Sequence, residues 1–284
     1  MARYGVAPDL AFPTDRSIAV DTDDAARLAV DLAGEGPLIV LVHGTLVSSA
    51  VMGALARLLV AEGFAVAAPD LRGHGRSTAG REGFSITRYG RDLADVVEAL
   101  GPQTYALVGH SSGGMGALAF AEDPGTALAP SALVLMSTSA SSIGGLKERL
   151  AAPVLFNGGL GIIVRRPSLG RAFSKALFAN DPGRETSEGI RKIIASTPEA
   201  TMRAAPRAVL DFDLSQELGR VAMPALVLQG GRDRSVRATS AERLVAGLPN
   251  ARMIVYPDAG HMLVLEETQA VGREIAGLVR SSQG

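Results

Sequence analysis

The chain lacks cysteine and tryptophan altogether. Without cysteine it can form no disulfide, no thiolate nucleophile and no cysteine-ligated metal centre. No apolar run approaches the ~20 residues that a membrane-spanning helix needs. Residues 1–13 are broken by glycine and proline and carry no apolar segment of signal-peptide length. We therefore expect a cytoplasmic protein without a membrane span.

A surplus of one charge is also missing. The chain has 28 Lys and Arg residues against 29 Asp and Glu, and neither sign forms a block. Nucleic acids and anionic membranes are usually recognised through basic surfaces, so we expect neither as a partner. Hydrophobic residues make up 47% of the 284 positions, which supports a large buried core. This length fits one α/β domain that carries an insertion.

The stretch from Tyr105 to Gly114 joins a short apolar run to the pattern G-x-S-x-G. Its first four residues are typical of a buried strand, and an apolar helical pattern follows the second glycine, Gly113. Between a strand and a helix, this pattern places its serine at a sharp turn near the positive end of the helix. Ser111 is therefore the candidate nucleophile, and the alternative is a glycine- and serine-rich loop without chemistry.

Strand and helix patterns alternate around this stretch and predict a mostly parallel, doubly wound sheet. The predicted strands cover residues 16–20, 27–31, 38–42, 64–68, 105–108, 132–136, 225–229 and 252–256, the first two forming a hairpin. The predicted helices cover residues 48–62, 84–100, 115–123, 236–248 and 263–280. Ser48 is the predicted N-cap of the first helix, with Gly63 as its stop.

Strand patterns disappear between about residues 139 and 210, where helical patterns take over. We therefore divide the chain into a first part of an α/β core (1–138), a helical cap insertion (139–210) and a second part of the core (211–284). Residues 153–164 are apolar and glycine-rich. Their large apolar side chains could line a cleft or simply pack the cap onto the sheet: Val154, Leu155, Phe156, Leu160, Ile162, Ile163 and Val164.

An acyl-transfer serine needs a base to take its proton and a carboxylate to orient that base. In an open α/β sheet, such groups lie on loops at the carboxyl ends of strands. Asp233 follows the strand at 225–229, and His261 follows the strand at 252–256. The other histidines fit the base less well, because His43 opens a turn, His74 can hydrogen-bond the backbone of a glycine-rich loop, and His110 adjoins the nucleophile at a sharp turn.

The chain resembles the α/β-hydrolase superfamily, in its serine-nucleophile, esterase- and lipase-like branch. The motifs that carry the resemblance are His43-Gly44, Asp70–Ser77, Gly109–Gly113, and Gly231-Arg-Asp233 with Gly260-His261. The order Ser, Asp, His along the chain is that of this fold. The resemblance covers nearly everything outside the insertion and implies an α/β-hydrolase fold, no cofactor and no metal. It also implies a structural role for His43 beneath the oxyanion loop.

Some members of the superfamily carry the acid after the strand that corresponds to 132–136. Here that loop, Ser137–Ser142, contains no carboxylate. Asp233 is therefore the predicted acid. Asp258 lies closer to His261 in sequence and is expected to shape its turn, and Asp213 is expected to make structural hydrogen bonds.

Negative charge on a tetrahedral intermediate requires two backbone donors. We predict the amides of Ser112 and Thr45, with Leu46 as the alternative to Thr45. Leu46, Phe156 and Met262 are the predicted substrate contacts.

The predicted function is a serine hydrolase that cleaves small to medium, mostly apolar carboxylic esters through an acyl-enzyme. Metal-free haloperoxidases or perhydrolases, lactonases and C–C bond hydrolases use the same three residues and stay open as alternatives, as does a non-catalytic binding protein. A dinucleotide enzyme would need G-x-G-x-x-G between the first strand and helix, and a zinc hydrolase would need H-E-x-x-H; the sequence has neither. The sequence leaves the oligomeric state open.

Overall fold

The computed structural model describes residues 10–122, 129–142 and 153–282. Within these ranges the chain forms an eight-stranded sheet in the spatial order β1-β2-β4-β3-β5-β6-β7-β8. The strands are β1 Arg16–Asp21, β2 Arg27–Ala33, β3 Leu38–Val42, β4 Ala65–Pro69, β5 Tyr105–His110, β6 Ala132–Met136, β7 Ala225–Gly230 and β8 Ala251–Tyr256. β2 pairs antiparallel with β1 and with β4, and the other neighbours pair in parallel. The predicted hairpin and the mostly parallel sheet are confirmed.

Helices cover both faces of the sheet. They are α1 Gly53–Ala61, α2 Ile86–Leu100, α3 Ser112–Glu122, α4 Leu160–Arg165, α5 Pro167–Lys175, α6 Arg184–Ser196, α7 Glu199–Leu210, α8 Ala238–Gly247, α9 Leu263–Glu266 and α10 Thr268–Ser282. Short turns of other helix types cover Ser49–Met52, Leu155–Gly159 and Leu218–Arg220. The predicted helix at 263–280 is divided in two at Glu267.

Successive strand residues point to opposite faces of a sheet, so a doubly wound sheet has two apolar layers. In β3, Val40 packs in one apolar cluster and Leu41 in the other. Helices α1 and α10 contribute to the cluster that contains Leu41, whereas α2, α3 and α8 contribute to the cluster that contains Val40. The doubly wound arrangement is therefore confirmed.

One predicted helix start has the right position but lacks the predicted cap bond. Ser48 directly precedes a short 3-10 turn, Ser49–Met52, which continues into α1, and its side chain makes no capping hydrogen bond. The backbone amide of Ser49 is instead bound by the buried carboxylate of Asp70 at 2.8 Å. A residue distant in sequence thus satisfies one of the free amides at the start of this helical stretch.

Between β6 and β7 the described residues 153–210 form helices and no strand. Leu160 and Val164 are buried in the cluster that also contains α1, whereas Val154 is 74% exposed and Ile162 is 59% exposed. Leu160 and Val164 therefore pack the insertion onto the core, whereas Val154 and Ile162 do not, and the side chain of Leu155 lies outside the described residues. None of the described helices is both long and apolar enough to cross a membrane.

Candidate active site

The candidate nucleophile sits at a strained turn between β5 and α3. Ser111 has a φ of 54°, in the left-handed region that side chains other than glycine rarely adopt. Backbone and side-chain hydrogen bonds hold it there. Its amide donates to Met136 O at 2.9 Å, and its carbonyl oxygen accepts from Thr138 Oγ1 at 2.6 Å. Strand β6 and the loop after it therefore fix the turn.

Close packing explains the two glycines of the G-x-S-x-G pattern. A Cβ atom on Gly109 would collide with the backbone of Gly113 and Gly114. A Cβ atom on Gly113 would collide with the carbonyl oxygen of His43 at the end of β3. The turn at Ser111 thus packs against the loop that follows β3, and Gly109 and Gly113 must both be glycine.

The candidate acid and base lie on the loops that follow the neighbouring strands β7 and β8. His261 Nδ1 and Asp233 Oδ2 are 2.9 Å apart, and the Asp233 side chain is fully buried. The other oxygen of Asp233 accepts from the amides of Ser235 at 2.7 Å and Val236 at 2.9 Å. Burial alone would raise the pKa of Asp233. The His261 imidazole and the two amides outweigh burial and hold that pKa below its usual value. The carboxylate is therefore an anion that can orient the imidazole.

The loop after β3 lies directly beside the nucleophile. A Cβ atom placed on Gly44 would be 3.0 Å from Ser111 Cβ. The two residues predicted to supply oxyanion donors are brought together, because Thr45 Oγ1 donates to Ser112 Oγ at 2.7 Å. Leu46 has a φ of 67°, so the chain turns sharply immediately after Thr45. The side chains of the two predicted donor residues thus contact each other, and the loop that carries Thr45 lies beside Ser111.

The predicted substrate contacts are only partly brought together. Leu46 and Met262 are buried members of one apolar cluster, which also contains Phe178 of the helical insertion. In the described part of the chain, Phe156 is partly exposed and lies outside this cluster.

The remaining carboxylates near these loops have other partners. Asp258 Oδ1 accepts a hydrogen bond from Arg232 at 2.8 Å on the surface, rather than from His261. Asp213 Oδ1 accepts from the amide of Ser215 at 2.9 Å, the structural hydrogen bonding expected of it. Among the described residues, no group of three or more His, Asp or Glu side chains is placed to hold a metal ion.

The other three histidines are buried and bonded to the backbone. His43 Nε2 accepts from the amide of Leu71 at 2.9 Å, and His74 Nδ1 donates to Arg72 O at 2.9 Å. His110 Nε2 donates to the carbonyl oxygen of His261 at 2.8 Å. The contact between His110 and His261 escaped the sequence analysis, because the two residues are 151 positions apart and no local pattern signals their meeting.

These three histidines make stability depend on pH. Burial lowers the pKa of His43, and it lowers those of His74 and His110 to about 3. Below pH ~6.5 the unfolded chain binds protons at these positions and the folded chain does not. The free energy of unfolding therefore decreases as the pH falls, by about 1.4 kcal/mol per pH unit for each of His74 and His110, and His43 acts in the same direction.

Urea unfolding at several values between about pH 7.5 and about pH 5 measures this slope. His74→Asn is the matched variant, because the asparagine amide can still donate to Arg72 O but does not titrate. Below pH ~6.5 we expect His74→Asn to lower the slope by about 1.4 kcal/mol per pH unit. An equal slope in both proteins would show that His74 takes up its proton in the folded state.

Known proteins share both the sequence pattern and the fold. Residues 37–268 match the family model for the alpha/beta hydrolase fold. A non-heme haloperoxidase from Rhodococcus erythropolis is 28% identical over 272 residues, which cover 92% of this chain and 99% of that protein. A bifunctional esterase/perhydrolase from Acinetobacter calcoaceticus is 29% identical over 264 residues, covering 87% and 93% of the two chains.

Solved structures agree with this assignment. An esterase from Thermogutta terrifontis superposes with a TM-score of 0.80 at 26% identity, covering 95% of this chain and all of the other. An esterase from Exiguobacterium antarcticum has the same fold, with a TM-score of 0.85 at 21% identity over 93% of this chain and 100% of that chain. The family model spans most of the chain, and the chain belongs to the alpha/beta hydrolase fold family.

Proposed function

We propose that the chain is a serine hydrolase that cleaves carboxylic esters of small to medium, mostly apolar substrates through an acyl-enzyme. The observation that carries the proposal is the bond between His261 Nδ1 and the buried Asp233 carboxylate, on loops at the same sheet edge as the strained Ser111 turn. The esterases among the relatives and structural neighbours support the substrate class.

In the acylation step, Ser111 Oγ attacks the ester carbonyl carbon while His261 Nε2 accepts the hydroxyl proton. Asp233 keeps the other imidazole proton on Nδ1 and stabilises the imidazolium that forms. The amides of Thr45 and Ser112 donate to the oxyanion. The imidazolium then protonates the alcohol oxygen, the C–O bond breaks, and the acyl group stays on Ser111.

In the deacylation step, water attacks the acyl carbon and gives a proton to His261. The bond to Ser111 Oγ breaks, the serine recovers its proton from the imidazolium, and the carboxylic acid leaves. We propose that Leu46 and Met262 from the core and Phe156 from the cap insertion contact the apolar part of the substrate. The scheme uses no cofactor.

A second candidate reaction differs only in the attacking molecule. Hydrogen peroxide in place of water would convert the same acyl-enzyme into a peroxycarboxylic acid and free serine. The similarity to a non-heme haloperoxidase and to a bifunctional esterase/perhydrolase favours this candidate.

The test combines p-nitrophenyl esters, from acetate to dodecanoate, with intact mass measurement after exposure to a fluorophosphonate. We expect a single covalent adduct per chain and turnover with an optimum at a short or medium acyl chain. Peracid formation from an acetate ester and hydrogen peroxide measures the second reaction. An adduct without ester turnover would favour lactone or C–C bond substrates, whereas neither adduct nor turnover would favour a binding protein.

A further inference from the structure

A buried carboxylate that the proposed reaction does not use lies close to the candidate base. Glu266 ends the short helix α9, a few residues after His261, and is only 7% exposed. Burial of a carboxylate is unfavourable unless hydrogen-bond donors surround it. Burial raises the pKa of Glu266, and hydrogen bonds from backbone amides partly oppose this.

The two donors to Glu266 come from different parts of the chain. Oε1 accepts from the amide of Gly260, the residue directly before His261, at 2.9 Å. Oε2 accepts from the amide of Ala179, in the helical insertion between β6 and β7, also at 2.9 Å. The Glu266 side chain therefore joins the insertion to the loop that carries His261, residues 258–262, which we call the base loop.

Residues of the insertion also form hydrogen bonds with the backbone of the base loop. Leu177 O accepts from the amides of His261 at 2.9 Å and Met262 at 3.2 Å. Asn180 Nδ2 donates to Asp258 O at 3.2 Å. Residues 177–180 thus form a segment bonded to both ends of the loop 258–262. We call them the docking segment.

Two further contacts leave the base loop little room to move. A Cβ atom on Gly260 would collide with the Ala179 amide and approach Glu266 Oε1 to 3.0 Å. The carbonyl oxygen of His261 accepts the hydrogen bond from His110 Nε2. The backbone is thus fixed on both sides of the imidazole, by Glu266 and the docking segment before it and by His110 after it.

We propose that Glu266 is a positioning residue, whose bridge between Gly260 and Ala179 makes the docking segment part of the support of the catalytic base. The inference rests on the proposed role of His261. Glu266 itself touches no reacting atom. Its effect is on the alignment of the imidazole, and alignment errors of about 1 Å can cost about 100-fold in rate.

Glu266→Gln is the principal variant, because it keeps the size of the side chain but replaces one acceptor oxygen by a donor. One of the two amides then loses its partner. We expect kcat for p-nitrophenyl esters to fall about 10- to 100-fold with KM within about twofold, since the substrate pocket is unchanged. The rate of fluorophosphonate labelling should fall in parallel.

The neighbouring Glu267→Gln removes a charge from a less buried carboxyl and is the matched control, with kcat expected at the wild-type value. Glu266→Asp, which keeps the charge but is too short to reach both amides, is the second variant and should also lose kcat selectively. Wild-type kcat in Glu266→Gln would overturn the inference. So would unfolding of both Glu266 variants in the absence of urea, because the residue would then act through stability alone. Failure of the proposed function would appear in the wild-type protein, as absent ester turnover and absent labelling, and would overturn the inference with it.

Discussion

Replacement of Ser111 by alanine is expected to lower kcat for ester hydrolysis by about five to six orders of magnitude and to abolish the fluorophosphonate adduct. The substitution removes only the attacking oxygen. The hydrogen bonds from the Ser111 amide to Met136 O and from Thr138 Oγ1 to Ser111 O remain and keep the turn in place. Initial rates with p-nitrophenyl esters measure kcat, and intact mass measures the adduct. Urea unfolding measures whether the stability of the fold is kept.

Ser137→Ala is the matched control for this experiment. Ser137 is fully buried and also has a positive φ, 46°, but its hydroxyl has no hydrogen-bond partner among the described residues. We expect the Ser137→Ala variant to keep wild-type ester turnover and wild-type fluorophosphonate labelling. Labelling that persists in Ser111→Ala would identify a different nucleophile and contradict the proposed mechanism.

Replacement of Asp233 by asparagine is expected to lower kcat by about 10⁴-fold. The asparagine carbonyl oxygen can still accept from the amides of Ser235 and Val236, so the turn is preserved. Its NH₂ group then faces His261 Nδ1 and forces the imidazole into the tautomer that carries its proton on Nε2. That tautomer cannot accept the proton of Ser111. The kcat of the variant, measured across the pH range in which the wild type is active, tests this expectation.

The variant Asp258→Asn tests which of the two aspartates near His261, Asp233 or Asp258, acts as the catalytic acid. Asp258 is paired with Arg232 on the surface, where an ion pair contributes at most about 1 kcal/mol, so we expect activity within about twofold of wild type. The opposite pattern, a large loss in Asp258→Asn and none in Asp233→Asn, would make Asp258 the acid.

The sequence predicted the parts of the molecule that local patterns determine. The strands were recognisable because central parallel strands are continuous apolar runs, such as Leu38–Val42. The turn at Ser111 was recognisable because its strand, glycines and helix lie within a dozen residues. Helix α2 was predicted over residues 84–100 and covers Ile86–Leu100. It ends before Gly101, whose φ of 58° suits a glycine, whereas its N-cap, the side chain of Ser85 bound by the Arg88 amide at 3.0 Å, was not predicted.

Features that depend on distant partners could not be predicted. Ser48 satisfies the local rule for a helix N-cap, but its side chain makes no capping hydrogen bond, and the distant Asp70 binds the amide of Ser49. No local sequence pattern signals the contacts of Glu266 with Ala179 and Gly260, because Ala179 is distant along the chain. Ile162 and Val164 have similar side chains two positions apart, yet only the fold decides which one faces solvent.

The bond from His110 to His261 has a consequence for how the chain folds, because it closes a separation of 151 residues. Contacts between distant residues form late, since loop-closure entropy opposes them until neighbouring structure supports them. The Ser111 turn is built from β3, β5, α3 and β6, all in the first half of the chain, whereas the candidate base needs the last strand of the sheet. A partly folded or partly synthesised chain therefore contains the formed Ser111 turn but lacks His261 as the proton acceptor. The rate at which activity returns during refolding then measures the pairing of the last strand, which brings His261 into place, and not the formation of the Ser111 turn.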